Sequence, residues 1–164
     1  MGDAYKTLGF VVIAGLYVAI GVMAARGTIC IFRKILSPKS EQVCYAIALI
    51  LVATIYVAFV AYFEATTARR LEATMVAAFV VISLLGMRLP FALIVGYSLH
   101  GMWDLIHELQ AHGGHSPFEP GQLTSIPLAY GLFCAAFDFY VAVYFYHRRA
   151  QWNAAWKGSV TPGH

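Results

Sequence analysis

The sequence predicts an all-α fold, a polytopic bundle of five transmembrane helices, and three observations lead there. Five mostly apolar runs follow one another along the chain, each near the length that crosses a bilayer. Apolar residues make up 60% of the chain and charged residues only 12%, against roughly a half and a quarter in soluble domains. Lysine and arginine gather in alternate connections between the runs. So little polar surface cannot coat a water-soluble globule, and the mean hydropathy of +0.70 agrees. At 164 residues the expectation is a single transmembrane domain, 1–164.

A span needs about 20 apolar residues. The first run, 8–25, is closed by Arg26. Its end at Met23-Ala24-Ala25 resembles a signal-peptide boundary, but the run is read as a true span. The second, 43–65, is closed by Arg69 and Arg70. The third, 71–87, is the shortest: its 17 residues cover roughly 25 Å. The fourth, 90–109, opens on Pro90, which suits a first helical turn. The fifth, 126–147, has Pro127 at its start and ends at His147 and Arg148, read as ordinary boundary residues.

Orientation follows from the basic residues. With the N-terminus outside, Arg26, Arg33, Lys34, Lys39, Arg88, Arg148, Arg149 and Lys157 lie inside, and Lys6, Arg69 and Arg70 outside. That is eight against three of the eleven, so the C-terminus is inside. The basic residues form no clustered stripe, which excludes a nucleic-acid partner. Cys30, Cys44 and Cys134 have no metal-ligand or oxidoreductase spacing. Cys134 reads as a small core residue, and a Cys30–Cys44 disulfide is disfavoured on the reducing side.

The chemistry-bearing segment is Tyr97-Ser98-Leu99-His100-Gly101-Met102-Trp103-Asp104-Leu105-Ile106-His107-Glu108. His100, Asp104 and His107 fall within about 60° of one another on a helix, a single stripe. The fifth run adds Asp138 at comparable depth, with Cys134 one turn away. Glu72 opens the third run and Glu64 ends the second at the same outer face, and His112 and His115 lie in the outer loop from 110 to 125. A central aspartate costs roughly 2.5–3.5 kcal/mol on insertion scales. Such groups must be paired, protonated, hydrated or metal-bound. Imidazole and carboxylate suit a divalent transition metal, zinc, iron or copper, with His100, Asp104, His107 and Asp138 as ligands. Without a metal, Asp138, Asp104 and Glu108 are the candidate acids and bases. Trp103, Tyr97 and Phe137 are placed at a substrate pocket, and Glu72, Glu64, His112 and His115 in an outer shell around the site. A purely structural polar network, with Trp103 as an interfacial anchor and the remaining aromatics of the fifth run as packing, is the plain alternative.

His100-x-x-Trp103-Asp104-x-x-His107, followed by a Pro-containing loop and Cys134-x-x-x-Asp138, resembles a family of small bacterial inner-membrane proteins of unknown function. The likeness runs from about Tyr62 to Phe145, and Glu72 matches a glutamate recurring there. The chain departs from that pattern at Glu108, where the family tends to have a second histidine, and in its longer outer loop. The resemblance implies a multi-pass location in the bacterial inner membrane and supplies no reaction.

Among functions, an enzyme acting on a lipophilic small molecule through an intramembrane His/Asp metal site leads. A metal-free acid–base isomerase or cyclase, with Trp103 steadying a developing cation, stands beside it. A proton or metal-ion transporter and a non-catalytic membrane subunit come from other classes. Histidines confined to one helix disfavour a haem. Membrane lipid, a lipophilic small molecule and a second copy of the chain are the expected partners.

Overall fold

Punctuation in the sequence sets where the helices begin. The computed structural model describes residues 2–113 and 130–158. Five helices and no strand occur among the described residues: α1 (Gly2–Ile35), α2 (Pro38–Tyr62), α3 (Thr66–Gly86), α4 (Pro90–Gly113) and α5 (Tyr130–Lys157). Ser37 caps α2 by accepting from the Ser40 N–H at 3.3 Å, and Pro38 fills its first turn. Pro90 opens α4 in the same way.

The helices overrun the expected spans. α1 does not stop at Arg26, because nothing from Gly27 to Ile35 breaks a helix, and it continues until the Ser37-Pro38 start signal. α2 stops at Tyr62, short of Ala65, because Glu64 takes a left-handed φ of 52° and turns the chain. Arg69 and Arg70 therefore sit, exposed, on α3 rather than in a loop. α5 continues to Lys157, so His147 and Arg148 are not its boundary. The expected start of the fifth span at 126 lies outside the described residues.

α1 (from Leu8 to Ile35) and α2 are long and apolar enough to cross a membrane. The other three helices are interrupted by ionisable groups: Arg69, Arg70 and Glu72 on α3, Asp104 and Glu108 on α4, Asp138, Arg148 and Arg149 on α5. α4 packs most extensively on α5, α5 on α1 and α2 on α3, while α1 barely touches α2 despite the tight turn between them. The burial pattern is inverted relative to a soluble protein. Glu41, Gln42, Glu72, His100, Asp104, His107 and Asp138 are buried, while Leu16, Leu51, Val81, Phe91 and Val143 are among many exposed apolar side chains.

An aromatic layer fills the middle. Phe145 lies 4.7 Å from Tyr45, 5.0 Å from Tyr97 and 5.2 Å from Trp152 between ring centroids. Below it, the extension of α5 answers a buried carboxylate. Glu41, fully buried at the start of α2, accepts from Trp152 Nε1 at 3.0 Å, Arg148 Nε at 3.0 Å and the Tyr144 hydroxyl. Gln42 donates to the Gly86 carbonyl at 2.7 Å and accepts from Trp156 Nε1 at 2.9 Å. Tyr144, Arg148, Trp152 and Trp156 recur every four residues, one stripe of α5. That stripe clamps α5 to the start of α2.

Removing one partner of a buried ion pair leaves the other uncompensated. Glu41→Ala should lower unfolding stability by about 3 kcal/mol, while exposed Lys34→Ala should stay within about 0.5 kcal/mol. Denaturant unfolding of the detergent-solubilised protein measures both.

Candidate functional site

The site depends on how closely α5 approaches α4. A Cβ added at Gly101 would lie 3.1 Å from the Asp138 Cβ, and one at Gly131 only 2.7 Å from the Asp104 carbonyl oxygen. Hydrogen in place of a side chain lets the backbones nearly touch. That approach sets Asp138 opposite His100.

His100 Nδ1 lies 2.7 Å from Asp138 Oδ2 and 3.2 Å from Asp104 Oδ2. A carboxylate oxygen can only accept, so Nδ1–H donates to Asp138 and the ring stands between two acids. Tyr56 O–H donates to Asp104 Oδ1 at 3.0 Å. Two buried atoms of this group, His100 Nε2 and Asp104 Oδ2, have no hydrogen-bond partner. Orphaned polar atoms in an interior are costly. His100, Asp104 and Asp138 each offer a ligand atom, all within 4.8 Å of one another, and the group can hold a metal ion.

His107 does not join them. Its seven-residue offset from His100 keeps it on the same stripe but about 10 Å further along the axis, too far for one ion. There it meets α3: Nδ1–H donates to the Trp103 carbonyl at 3.0 Å, and Nε2 faces Glu72 Oε1 at 2.9 Å. With Nδ1 donating, a proton must sit between Nε2 and the carboxylate. Trp103 Nε1 also donates to Glu72, at 3.3 Å. The two clusters meet at Tyr56, whose ring centroid lies 4.1 Å from that of His107.

A cavity of about 180 Å³ borders the first cluster. Val52 and Ile55 of α2 and Phe133 and Phe137 of α5 form its apolar walls, and Tyr56, Tyr130, Cys134, His100, Asp104 and Asp138 its polar ones.

Phe137 thus lines the cavity, whereas Tyr97 and Trp103 do not. Tyr97 sits in the aromatic layer with its hydroxyl donating to the Tyr45 carbonyl at 2.9 Å, and Trp103 is turned to Glu72. Glu108 stands apart from the acid–imidazole group and accepts from the Gly131 N–H at 2.9 Å. Glu72 belongs to the His107 cluster, and Glu64 is exposed in the α2–α3 turn. The His112 and His115 side chains lie outside the described residues. Sequence reasoning missed Tyr56 and read Cys134 only as packing. The signal for Tyr56 was a phenol six residues before the outer end of α2, at the depth of Asp104. Glu41 and Gln42 went unremarked because they lie just before the expected second span.

Gly131→Leu should force α5 off α4 and cost at least about 1–3 kcal/mol, the usual range for overpacking. Gly15→Leu should be tolerated, since nothing lies within 4 Å of its Cβ position. Thermal melting of the two variants side by side checks the contrast.

No curated protein and no solved structure matches the chain. A family described as "Family of unknown function (DUF6010)" matches residues 16–151, a wider stretch than the motif alone marks out. The matched region takes in His100, Asp104, His107 and Asp138, and the chain belongs to the DUF6010 family.

Proposed function

We propose that this protein is a five-span enzyme of the cell inner membrane that binds a divalent metal at His100, Asp104 and Asp138 and acts on a lipophilic small molecule. The observation that carries the reading is three buried ligand atoms within 4.8 Å beside an apolar cavity, with His100 Nε2 and Asp104 Oδ2 making no hydrogen bond. Two carboxylates facing one imidazole leave an excess of negative charge in a weakly polarisable interior. A divalent cation neutralises it. One nitrogen and two oxygens favour zinc or iron(II) over copper.

Five spans are supported by the inverted burial: every helix turns apolar side chains outward, including α3 (Val81, Leu84, Leu85), α4 (Phe91, Leu99, Met102) and α5 (Phe139, Val143). Of the eight ionisable groups that interrupt these helices, Glu72, Asp104 and Asp138 are buried, as intramembrane charges are.

A bound metal would supply Lewis-acid polarisation or an activated water. The chain's own contribution is positional. Val52, Ile55, Phe133 and Phe137 are half-exposed and give a substrate lateral access from lipid between α2 and α5. At about 180 Å³ the cavity is smaller than a typical ligand site of roughly 300–1,000 Å³. It suits the reacting end of an elongated molecule. Tyr56, held on Asp104, and the Cys134 thiol face that end.

Metal-free acid–base catalysis is the second reading, favoured by the 2.7 Å contact of His100 with Asp138, already a proton-sharing pair. Transport is disfavoured by the aromatic layer of Tyr45, Tyr97, Phe145 and Trp152, packed between the outer clusters and Glu41.

Elemental analysis of gently purified protein decides between these readings. We expect one divalent transition metal per chain, lost in His100→Ala and Asp138→Asn while the helical circular dichroism persists. Metal at background level in wild-type protein after anaerobic reconstitution with zinc and iron would leave the metal-free reading. Retention of the metal by His100→Ala would refute the assigned ligands.

A further inference from the structure

A second recess lies further along α5, between that helix and α1. The groove between α1 and α5 has a volume of about 310 Å³, and Arg26, Arg33 and Ile29 of α1 face Tyr140, Val143 and His147 of α5 across it. About 30 Å³ is one water's share of the liquid, so the space suits a headgroup rather than a single small ion.

Both arginines are exposed and neither makes an ion pair among the described residues. The other arginines at this end are engaged: Arg148 with Glu41, Arg88 over the Trp156 ring at 4.1 Å and Arg149 over the Tyr146 ring at 3.6 Å. Glu41 is the acid of this end among the described residues, and three α5 donors already occupy it. Among the described residues, no acid is left at this end to pair with Arg26 and Arg33. Seven residues separate them, which puts both on one face of α1 and about 10 Å apart along its axis. Arg26, the deeper of the two, reaches acyl-chain depth unless its guanidinium turns toward a phosphate.

We propose that this groove binds the phosphate of an anionic phospholipid from the cytoplasmic leaflet. Guanidinium forks match phosphate oxygens, Tyr140 and His147 line the same recess, and Ile29 and Val143 provide an apolar floor for the start of the acyl chains. That floor, on a face where Val143 and Met23 are exposed, selects a lipid over a soluble anion. The inference rests on the membrane reading and its orientation, and not on the metal centre.

The test uses the full-length protein in phosphatidylcholine vesicles, with phosphatidylglycerol or inorganic phosphate added. Native mass spectrometry and thermal melting should show bound phosphatidylglycerol and a raised melting temperature with that lipid only. Arg26→Gln/Arg33→Gln should weaken phosphatidylglycerol binding by about thirtyfold, the loss of two basic contacts. Lys34→Gln/Lys157→Gln removes the same charge elsewhere at this end and should keep the binding. A headgroup-photoreactive phosphatidylglycerol should crosslink unaltered protein within 26–33 and 140–147, which keeps the site testable if the arginine variant does not fold. Equal effects of both lipids, an equal response to phosphate alone, equal losses in the two double variants, or crosslinks spread over all helices would overturn the site. Failure to insert into phosphatidylcholine alone would instead strike at the membrane reading.

Discussion

The contact between His100 and Asp138 is the interaction on which the rest of the structure turns. It joins an imidazole on α4 to a carboxylate on α5 at 2.7 Å, with a second carboxylate, Asp104, on the far side of the ring nitrogen at 3.2 Å. Such a group survives burial only if the helices hold it rigidly, because each charge is tolerable only beside its partner. The glycines at 101 and 131 permit the approach, Tyr56 fixes Asp104 from α2, and Phe79 packs on the His100 ring at a centroid distance of 5.1 Å. Four helices therefore converge on one imidazole.

The bundle separates two kinds of polarity. At the His100 end, groups are left with spare capacity: His100 Nε2 and Asp104 Oδ2 make no hydrogen bond, and both residues border a cavity. At the opposite end, Glu41 accepts three donors and both ends of the Gln42 amide are used. A saturated network holds helices together, whereas an unsaturated one beside a cavity is available for a ligand. The aromatic layer between them keeps the two apart and makes the fixed end an anchor for the reactive one.

Much of this was legible in the residues. The five helices follow from apolar runs and from Pro90 at the start of α4, and the His100–Asp104 stripe follows from four-residue spacing; the start of α2 at Pro38, five residues before the expected 43, was missed. Helix ends were harder to read. Arg26 and His147 signal the expected edge of a hydrocarbon layer, not the end of a helix, since neither side chain breaks backbone hydrogen bonding. His107 was assigned to the same centre because it shares the angular stripe of His100 and Asp104. The axial rise carries it to Glu72 on α3. Tyr56 was obscured by an apolar run in which a phenol looks like packing until a buried acid is found opposite it. Glu41 and Gln42 drew no notice because their partners come from an extension of α5 more than 100 residues away.

The central claim is that imidazole and carboxylates from α4 and α5 form one ion-binding centre. Cobalt(II) titration of chelator-treated protein, followed by visible absorption, reads that centre directly. The account predicts saturation at one cobalt per chain with a low-symmetry nitrogen–oxygen spectrum, abolished both in Asp138→Asn and in Asp104→Ala/Asp138→Ala. A spectrum no different from aqueous cobalt, or one unchanged by both substitutions, would contradict it.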